Sequence, residues 1–172
     1  MDEWRAPISS KVKKKGKKGG AEPDSYAFEL NGARKIKLWD QFTRRVSALH
    51  VSDEAPYLVT LVRRVPGNIF LSHAKVFVFA EYWGVTRLRE LSIQRLGKLL
   101  EATELTEAKV EDVAALMEYG YDEPRPEELT SLLLLYSASK IDKLWKSERF
   151  RKVVSTHGEL AISLIGTMAE TA

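Results

Sequence analysis

Residues 71–100, LSHAKVFVFAEYWGVTRLRELSIQRLGKLL, decide the fold of this chain. Ser72 is a favoured N-cap residue, and the apolar side chains that follow it lie nearly all round a helix that continues to Trp83. A helix that is apolar on every side is expected to be buried in a core. Gly84 then supplies the break that ends this helix.

A second helix is predicted directly after Gly84, with Thr86 as its cap. Its leucines recur every three to four residues and therefore fall near one face. These leucines are Leu88, Leu91, Leu96, Leu99 and Leu100. The opposite, polar face carries Arg87, Arg89, Glu90, Gln94, Arg95 and Lys98. Two helices joined by so few residues normally pack against each other.

The segment before this pair predicts a helix over residues 33–49 and a less regular stretch after it. Apolar residues at helical spacing indicate a buried face in residues 33–49. They are Ile36, Leu38, Trp39, Phe42, Val46 and Leu49, opposite a basic face of Arg34, Lys37, Arg44 and Arg45. This helix either packs on the following helices or binds a partner through its basic face. Residues 57–65, YLVTLVRRV, fit a short edge strand or a helical turn.

The remaining chain is also expected to be helical. Thr106 caps a helix that runs to about Tyr119 and ends at Gly120. Pro126 suits the first turn of a helix that continues to about residue 145. Two shorter helices are predicted over residues 147–155 and 159–169. The expected fold is therefore a mainly α helical bundle over residues 33–172, with at most a short strand near residues 57–65.

Residues 1–32 form a basic tail that we expect to be disordered, because the segment has few apolar side chains to bury. Its lysines are Lys11, Lys13, Lys14, Lys15, Lys17 and Lys18. Residues 1–45 contain twelve Lys and Arg against six Asp and Glu, so this part of the chain carries a charge of +6. The net charge of the whole chain is +3, and the remaining residues therefore carry −3. Such a cluster fits a nuclear import signal, a contact to nucleic-acid phosphates or a solubilising tract.

No enzymatic chemistry is recognisable in the sequence. The chain lacks Cys, and its three histidines, His50, His73 and His157, have no partner at a metal-ligand spacing. Neither a phosphate-binding glycine loop nor a nucleophile elbow occurs. We therefore predict no enzyme, no metal and no cofactor. The start of the chain has no apolar signal region, and its longest apolar run is short, so a nuclear or cytoplasmic location away from membranes is expected.

The central helices resemble the C-terminal helical half of BTB/POZ domains, particularly those of filamentous fungi. The family's pattern stands here as His73, Ala74, Val76, Phe77, Ala80 and Tyr82, followed by Leu88, Leu91 and Leu96. Phe77 and Trp83 depart from the residues that are usual in the family. LWKSERFRKVV and HGELAISLI are similar to the family's tail, so the resemblance covers about residues 70–168. The N-terminal half of such domains, which normally builds the dimer face, has no counterpart before Phe70.

The resemblance implies a non-enzymatic protein-interaction module. Relatives dimerise, recruit a cullin ubiquitin ligase or act in transcription, so the implied partner is a second copy, a cullin ligase or a transcription factor. The candidate contacts are Arg87, Arg89, Arg95 and Lys98 on the helix after Gly84. Two alternatives remain: a nucleic-acid-associated protein that binds through its lysine tail, and a truncated family member without retained activity.

Overall fold

A computed structural model of the chain describes residues 25–49, 68–122 and 126–171, with side chains from residue 32 onward. The described part consists of eight helices and contains no strand, so the expected mainly α helical bundle is confirmed. The lysine cluster at residues 11–18 and the segment that fits a strand, residues 57–65, lie outside the described residues.

The eight helices follow one another along the chain with short connections after the second helix. They are α1 (Ser25–Ala48), α2 (Ile69–Tyr82), α3 (Thr86–Ala102), α4 (Glu107–Tyr121), α5 (Glu127–Ser139), α6 (Ile141–Leu144), α7 (Glu148–Thr156) and α8 (Gly158–Glu170). Helix α2 packs most extensively on α3, and α1 packs on α5. Helix α4 contacts α2, α5 and α7, and α8 lies against α5 and α7.

Helix α1 presents one narrow apolar stripe to the bundle. Leu38, Phe42 and Val46, spaced four residues apart, are each at most 2% exposed. The prediction that Ile36 shares this face is wrong, because its side chain is 65% exposed. The helix also begins at Ser25, eight residues before the predicted start, because a single glycine such as Gly32 costs only about 1 kcal/mol and does not end a helix.

The helical pair α2 and α3 is confirmed, but its capping residues differ from the prediction. Asn68, not Ser72, is the N-cap of α2, and its Oδ1 accepts a hydrogen bond from the backbone N–H of Leu71. Its Nδ2 donates to the backbone carbonyl of Asp112, which ties the start of α2 to α4. Thr86 is the first residue of α3 and makes no capping hydrogen bond.

The prediction that α2 is buried on all sides is also wrong. Ala74, Phe77 and Ala80 are completely buried, whereas Phe79 and Tyr82 are 55% and 80% exposed. Among the described helices, α3 and α4 pack on one side of α2, and the apolar side chains Phe79 and Tyr82 on its other side are exposed.

Three boundaries in the second half of the chain follow the prediction and two do not. Thr106 caps α4, Ser147 caps α7, and α8 lies within one residue of its predicted bounds. Gly120 does not end α4: it is a buried helical residue whose missing Cβ leaves room for the Leu133 side chain. The helix predicted from Pro126 to about residue 145 is interrupted after Ser139, and α6 begins at Ile141.

The core is one continuous apolar cluster with an aromatic centre between α1 and α5. The ring centroid of Phe42 lies 5.3 Å from those of Trp39 and Tyr136. The ammonium group of Lys140 lies 3.5 Å from the centroid of the Trp39 ring and closes this cluster toward solvent. Among the described helices, none has both the length and the apolar composition that crossing a membrane requires.

Candidate protein-binding surface

The four predicted contact residues of α3 do not form one free basic face. Arg87 lies in the first turn of α3 and is exposed. Arg89, Arg95 and Lys98 are half-buried. Gln94, which the sequence places on the polar face, is only 3% exposed. Of the predicted contacts, Arg87 is therefore the residue that the fold leaves most accessible.

Arg89 is held by contacts within the protein. Its Nη1 lies 2.5 Å from Oε2 of Glu128 at the start of α5, and its Nε lies 3.3 Å from Oε2 of Glu81 at the end of α2. Because the guanidinium donors are directed at two carboxylates of the same chain, Arg89 joins three helices and is not available to a partner.

Arg95 faces His73 across the contact between α2 and α3. Partial burial lowers the pKa of His73 below its usual value of 6.5, and the nearby charge of Arg95 lowers this pKa further. The charge of Arg95 is therefore close enough to His73 to act on its titration.

Apolar side chains are exposed together where α2 ends and α3 begins. We call this surface the aromatic corner: it consists of Val76, Phe79, Tyr82, Trp83 and Val85, which are 39%, 55%, 80%, 64% and 43% exposed. Scattered single apolar residues are normal on protein surfaces, whereas a contiguous group of this kind is a candidate binding surface.

The three rings of the aromatic corner contact one another. The Tyr82 and Trp83 ring centroids lie 5.4 Å apart in an edge-to-face arrangement, and those of Phe79 and Trp83 lie 6.1 Å apart. These separations are within the range of favourable aromatic pairs. The rings therefore form one connected surface.

A regular helix-ending motif fixes the backbone of the aromatic corner. The N–H of Val85 donates to the carbonyl of Ala80 at 2.8 Å, and the N–H of Gly84 donates to that of Glu81 at 3.2 Å. These two bonds are those of a Schellman motif, which needs a left-handed residue after the helix. Gly84 has this conformation, with φ of +67°, so the predicted break is confirmed.

The composition of the aromatic corner suits a protein interface. Trp, Tyr and Arg dominate the residues whose truncation weakens protein complexes most. Trp83 and Tyr82 are exposed here, and Arg87 follows four residues after Trp83. Aromatic side chains supply a large contact area and have few rotatable bonds to immobilise on binding.

Two other surface features are weaker candidates for a binding surface than the aromatic corner. Ile162 and Ile165 on α8 are 73% and 69% exposed, but no aromatic side chain of α8 accompanies them. A cleft of about 460 Å³ lies between the start of α4 and the segment that joins α6 to α7. Its charged side chains are two acids and two lysines, so it favours neither anions nor cations. They are Glu107, Glu111, Lys143 and Lys146.

The geometry does not bring together a metal site among the residues that the structure describes. No group of three or more His, Asp or Glu side chains lies close enough to hold an ion there. His157 instead pairs with Asp122, with its Nε2 3.2 Å from Oδ1, and joins the end of α4 to the start of α8.

Comparisons with known proteins give no relative of this chain. No family model matches the sequence, and neither the curated proteins nor the solved structures contain a significant match.

The sequence pattern alone did not single out the aromatic corner. The pattern places Val76, Phe79, Tyr82 and Trp83 on a helix that it predicts to be buried on all sides. The signal that could have found it is the local excess of large rings, since FAEYW places three aromatic residues within five positions directly before a glycine. Aromatic rings stay exposed when no other helix packs on their side of the helix.

Proposed function

We propose that this chain is a non-enzymatic protein-interaction module whose binding surface is the aromatic corner. The observation that carries the proposal is the exposure of Phe79, Tyr82 and Trp83, each by more than half, on a backbone fixed by the Gly84 motif. Burying such rings against a partner removes a large apolar area from water, which is favourable by about 25 cal/mol per Å².

We further propose that the module is of the BTB/POZ type. The proposal is supported by the resemblance of residues 70–168 and by the placement of its pattern on two packed helices. Ala74, Phe77 and Ala80, which belong to this pattern, are buried against the bundle, whereas Tyr82 lies in the aromatic corner. The resemblance implies a second copy, a cullin ligase or a transcription factor as the partner, and Arg87 is the predicted contact best placed to take part.

The test is affinity capture by the full-length chain from a lysate of its source organism, with nuclease added, followed by quantitative mass spectrometry. Proteins captured by the wild type should fall by at least about tenfold with the double variant Tyr82→Ala, Trp83→Ala, because alanine removes the apolar anchors. The matched control is Ile162→Ala, Ile165→Ala, which removes a similarly exposed apolar pair on α8 and should capture the same proteins as the wild type.

Two results would overturn the proposal. Capture that is equal for the wild type and the Tyr82, Trp83 variant would show that the aromatic corner binds no partner. Capture that disappears with nuclease, and that falls steeply with salt in its absence, would assign the binding to nucleic-acid phosphates, as the lysine-tail alternative predicts. Thermal unfolding of each variant, measured by circular dichroism, confirms that the compared proteins are folded.

A further inference from the structure

We infer that the aromatic corner receives a short amphipathic helix of a partner protein, with Asp or Glu beside its apolar stripe, and not a second copy of this chain. This inference rests on the proposed function and specifies the partner of the same surface. Three properties of the surface support it: its spacing, its area and its charge.

The spacing of the exposed residues suits a helix as the partner. Val76, Phe79 and Trp83 are three and four residues apart, so they form one straight stripe along α2. Apolar residues at this spacing pack against the corresponding stripe of another helix with knobs fitting into holes. A partner helix laid along α2 would cover Phe79 and Trp83, and its end would reach Tyr82 and Val85.

The area of the surface fits a short segment better than a whole domain. An aromatic side chain buries about 150–250 Å², so the exposed fractions of Phe79, Tyr82 and Trp83 offer roughly 300–500 Å². A stable protein–protein interface buries about 800 Å² on each partner. The corner supplies about half of this area, which is enough for one helix in a helix-to-groove contact.

Two exposed basic side chains lie at the two ends of the stripe. Arg87 forms no ion pair with the described residues, and its side chain is exposed. Lys75 is exposed at the other end of the stripe, where its ammonium group lies 5.9 Å from the Tyr119 ring centroid. The nearest acid on α2, Glu81, is paired with Arg89, and Glu90 on α3 is half-buried.

These charges disfavour self-association through the corner. A two-fold axis that runs along α2 would lay the stripes of two copies parallel, with each charge facing its own counterpart, and an axis perpendicular to α2 would lay them antiparallel. The centre of the stripe lies near Ala80, so Lys75 of one copy would come close to the Arg87 region of the other. Like charges across an interface cost free energy, whereas a carboxylate in the same place gains a charge-assisted hydrogen bond from Arg87.

The test is a selection from a displayed library of helical peptides on the immobilised full-length chain. Each peptide has about 18 residues, or about 27 Å of helix, with a fixed apolar stripe and flanking positions randomised among Asp, Glu, Lys, Arg and Ser. We expect Asp and Glu to be enriched about tenfold over Lys and Arg on the wild type, and this preference to reverse on Arg87→Glu.

The best acidic peptide is then synthesised and measured by fluorescence anisotropy. Its affinity should fall about tenfold with Arg87→Glu and recover when Lys replaces the facing Glu of the peptide. Arg151→Glu, which reverses another exposed arginine, on α7, is the matched control and should bind like the wild type. Trp83→Ala should abolish binding.

Several results would overturn the inference. They are a selection without enriched peptides, enrichment without a charge preference, the same enrichment on Trp83→Ala, and a dimer in sedimentation analysis that Trp83→Ala dissociates. None of these results affects the capture experiment above, which asks only whether the corner binds a protein. If capture depends on Tyr82 and Trp83 while the library shows no preference for acidic peptides, the inferred chemistry of the partner is wrong, and the proposed function stands.

Discussion

Arg89 Nη1 lies 2.5 Å from Oε2 of Glu128, and this ion pair ties the start of α3 to the start of α5. Neither side chain is more than a third exposed, at 32% and 28%. Arg89 also contacts Glu81 at the end of α2. The helix junction that carries the aromatic corner is therefore attached to the rest of the bundle by a charged contact that is partly shielded from water.

Replacing Arg89 should destabilise the fold, whereas replacing Arg87 should not. Arg89→Met leaves the half-buried carboxylate of Glu128 without its partner, and we expect a loss of about 1–2 kcal/mol in the free energy of unfolding. Arg87→Met, on the exposed first turn of the same helix, should change it by less than about 0.5 kcal/mol. Urea unfolding of both variants measures the difference, and equal losses would contradict the assignment.

The contact between α1 and α3 depends on a glycine. A Cβ on Gly97 would lie 2.9 Å from Cγ2 of Val46 and 3.3 Å from its Cγ1, and a β-branched side chain cannot turn away from both contacts. Gly97→Ala should therefore lose about 1–3 kcal/mol of stability, although alanine favours helices.

Gly166 provides the matched control for this substitution. It lies within α8, and an added Cβ would meet no atom within 4 Å. Gly166→Ala should raise the free energy of unfolding by up to about 1 kcal/mol. If both alanine variants shift the urea midpoint in the same direction, this result would contradict the close packing of α1 on α3.

The hydroxyl of Tyr136 should contribute nothing to stability. The side chain is fully buried, and its Oη has no hydrogen-bond partner among the described residues. Since a buried hydroxyl without a partner costs free energy, Tyr136→Phe should leave the free energy of unfolding unchanged or raise it by about 1 kcal/mol. A loss of more than about 1 kcal/mol in thermal or urea unfolding would show that the hydroxyl is bonded.

His73 should make the protein less stable in mild acid. Burial, aided by Arg95, lowers the pKa of His73 in the folded state below 6.5, so the unfolded chain takes up the proton first as pH falls. The free energy of unfolding should therefore decrease from about pH 6.5 down to the lowered pKa. His73→Gln removes this contribution, and the two proteins should differ in the slope of stability against pH. Identical slopes of the free energy of unfolding against pH would contradict this contribution of His73.

The fold class and most helices could be predicted because local signals determine them. Thr106 and Ser147 are capping residues that act within one turn, and Gly84 adopts a conformation that few other residues tolerate. The predicted start of α2 at Ser72 is wrong because Asn68 and Ser72 are both good caps. The contact of Asn68 with the carbonyl of Asp112 in α4, distant in sequence, favours the earlier start.

The candidate site could not be predicted because it depends on which sides of α2 the other described helices cover. The pattern of α2 shows that it is apolar, but only the packed bundle shows that α3 and α4 cover one side and leave Phe79 and Trp83 exposed. The same reasoning applies to Arg89, which looks like a surface residue in sequence. Its partner Glu128 lies 39 residues further along the chain.

The central claim, that the aromatic corner binds a protein, is tested most directly by site-specific photocrosslinking in the cells of origin. A photoreactive phenylalanine derivative replaces Tyr82 in one full-length variant and Ile162, on α8, in another. The account predicts a discrete crosslinked protein adduct at position 82 that is lost when Trp83→Ala is added, and no such adduct at position 162. No adduct at position 82, or the same adducts at both positions, would contradict it.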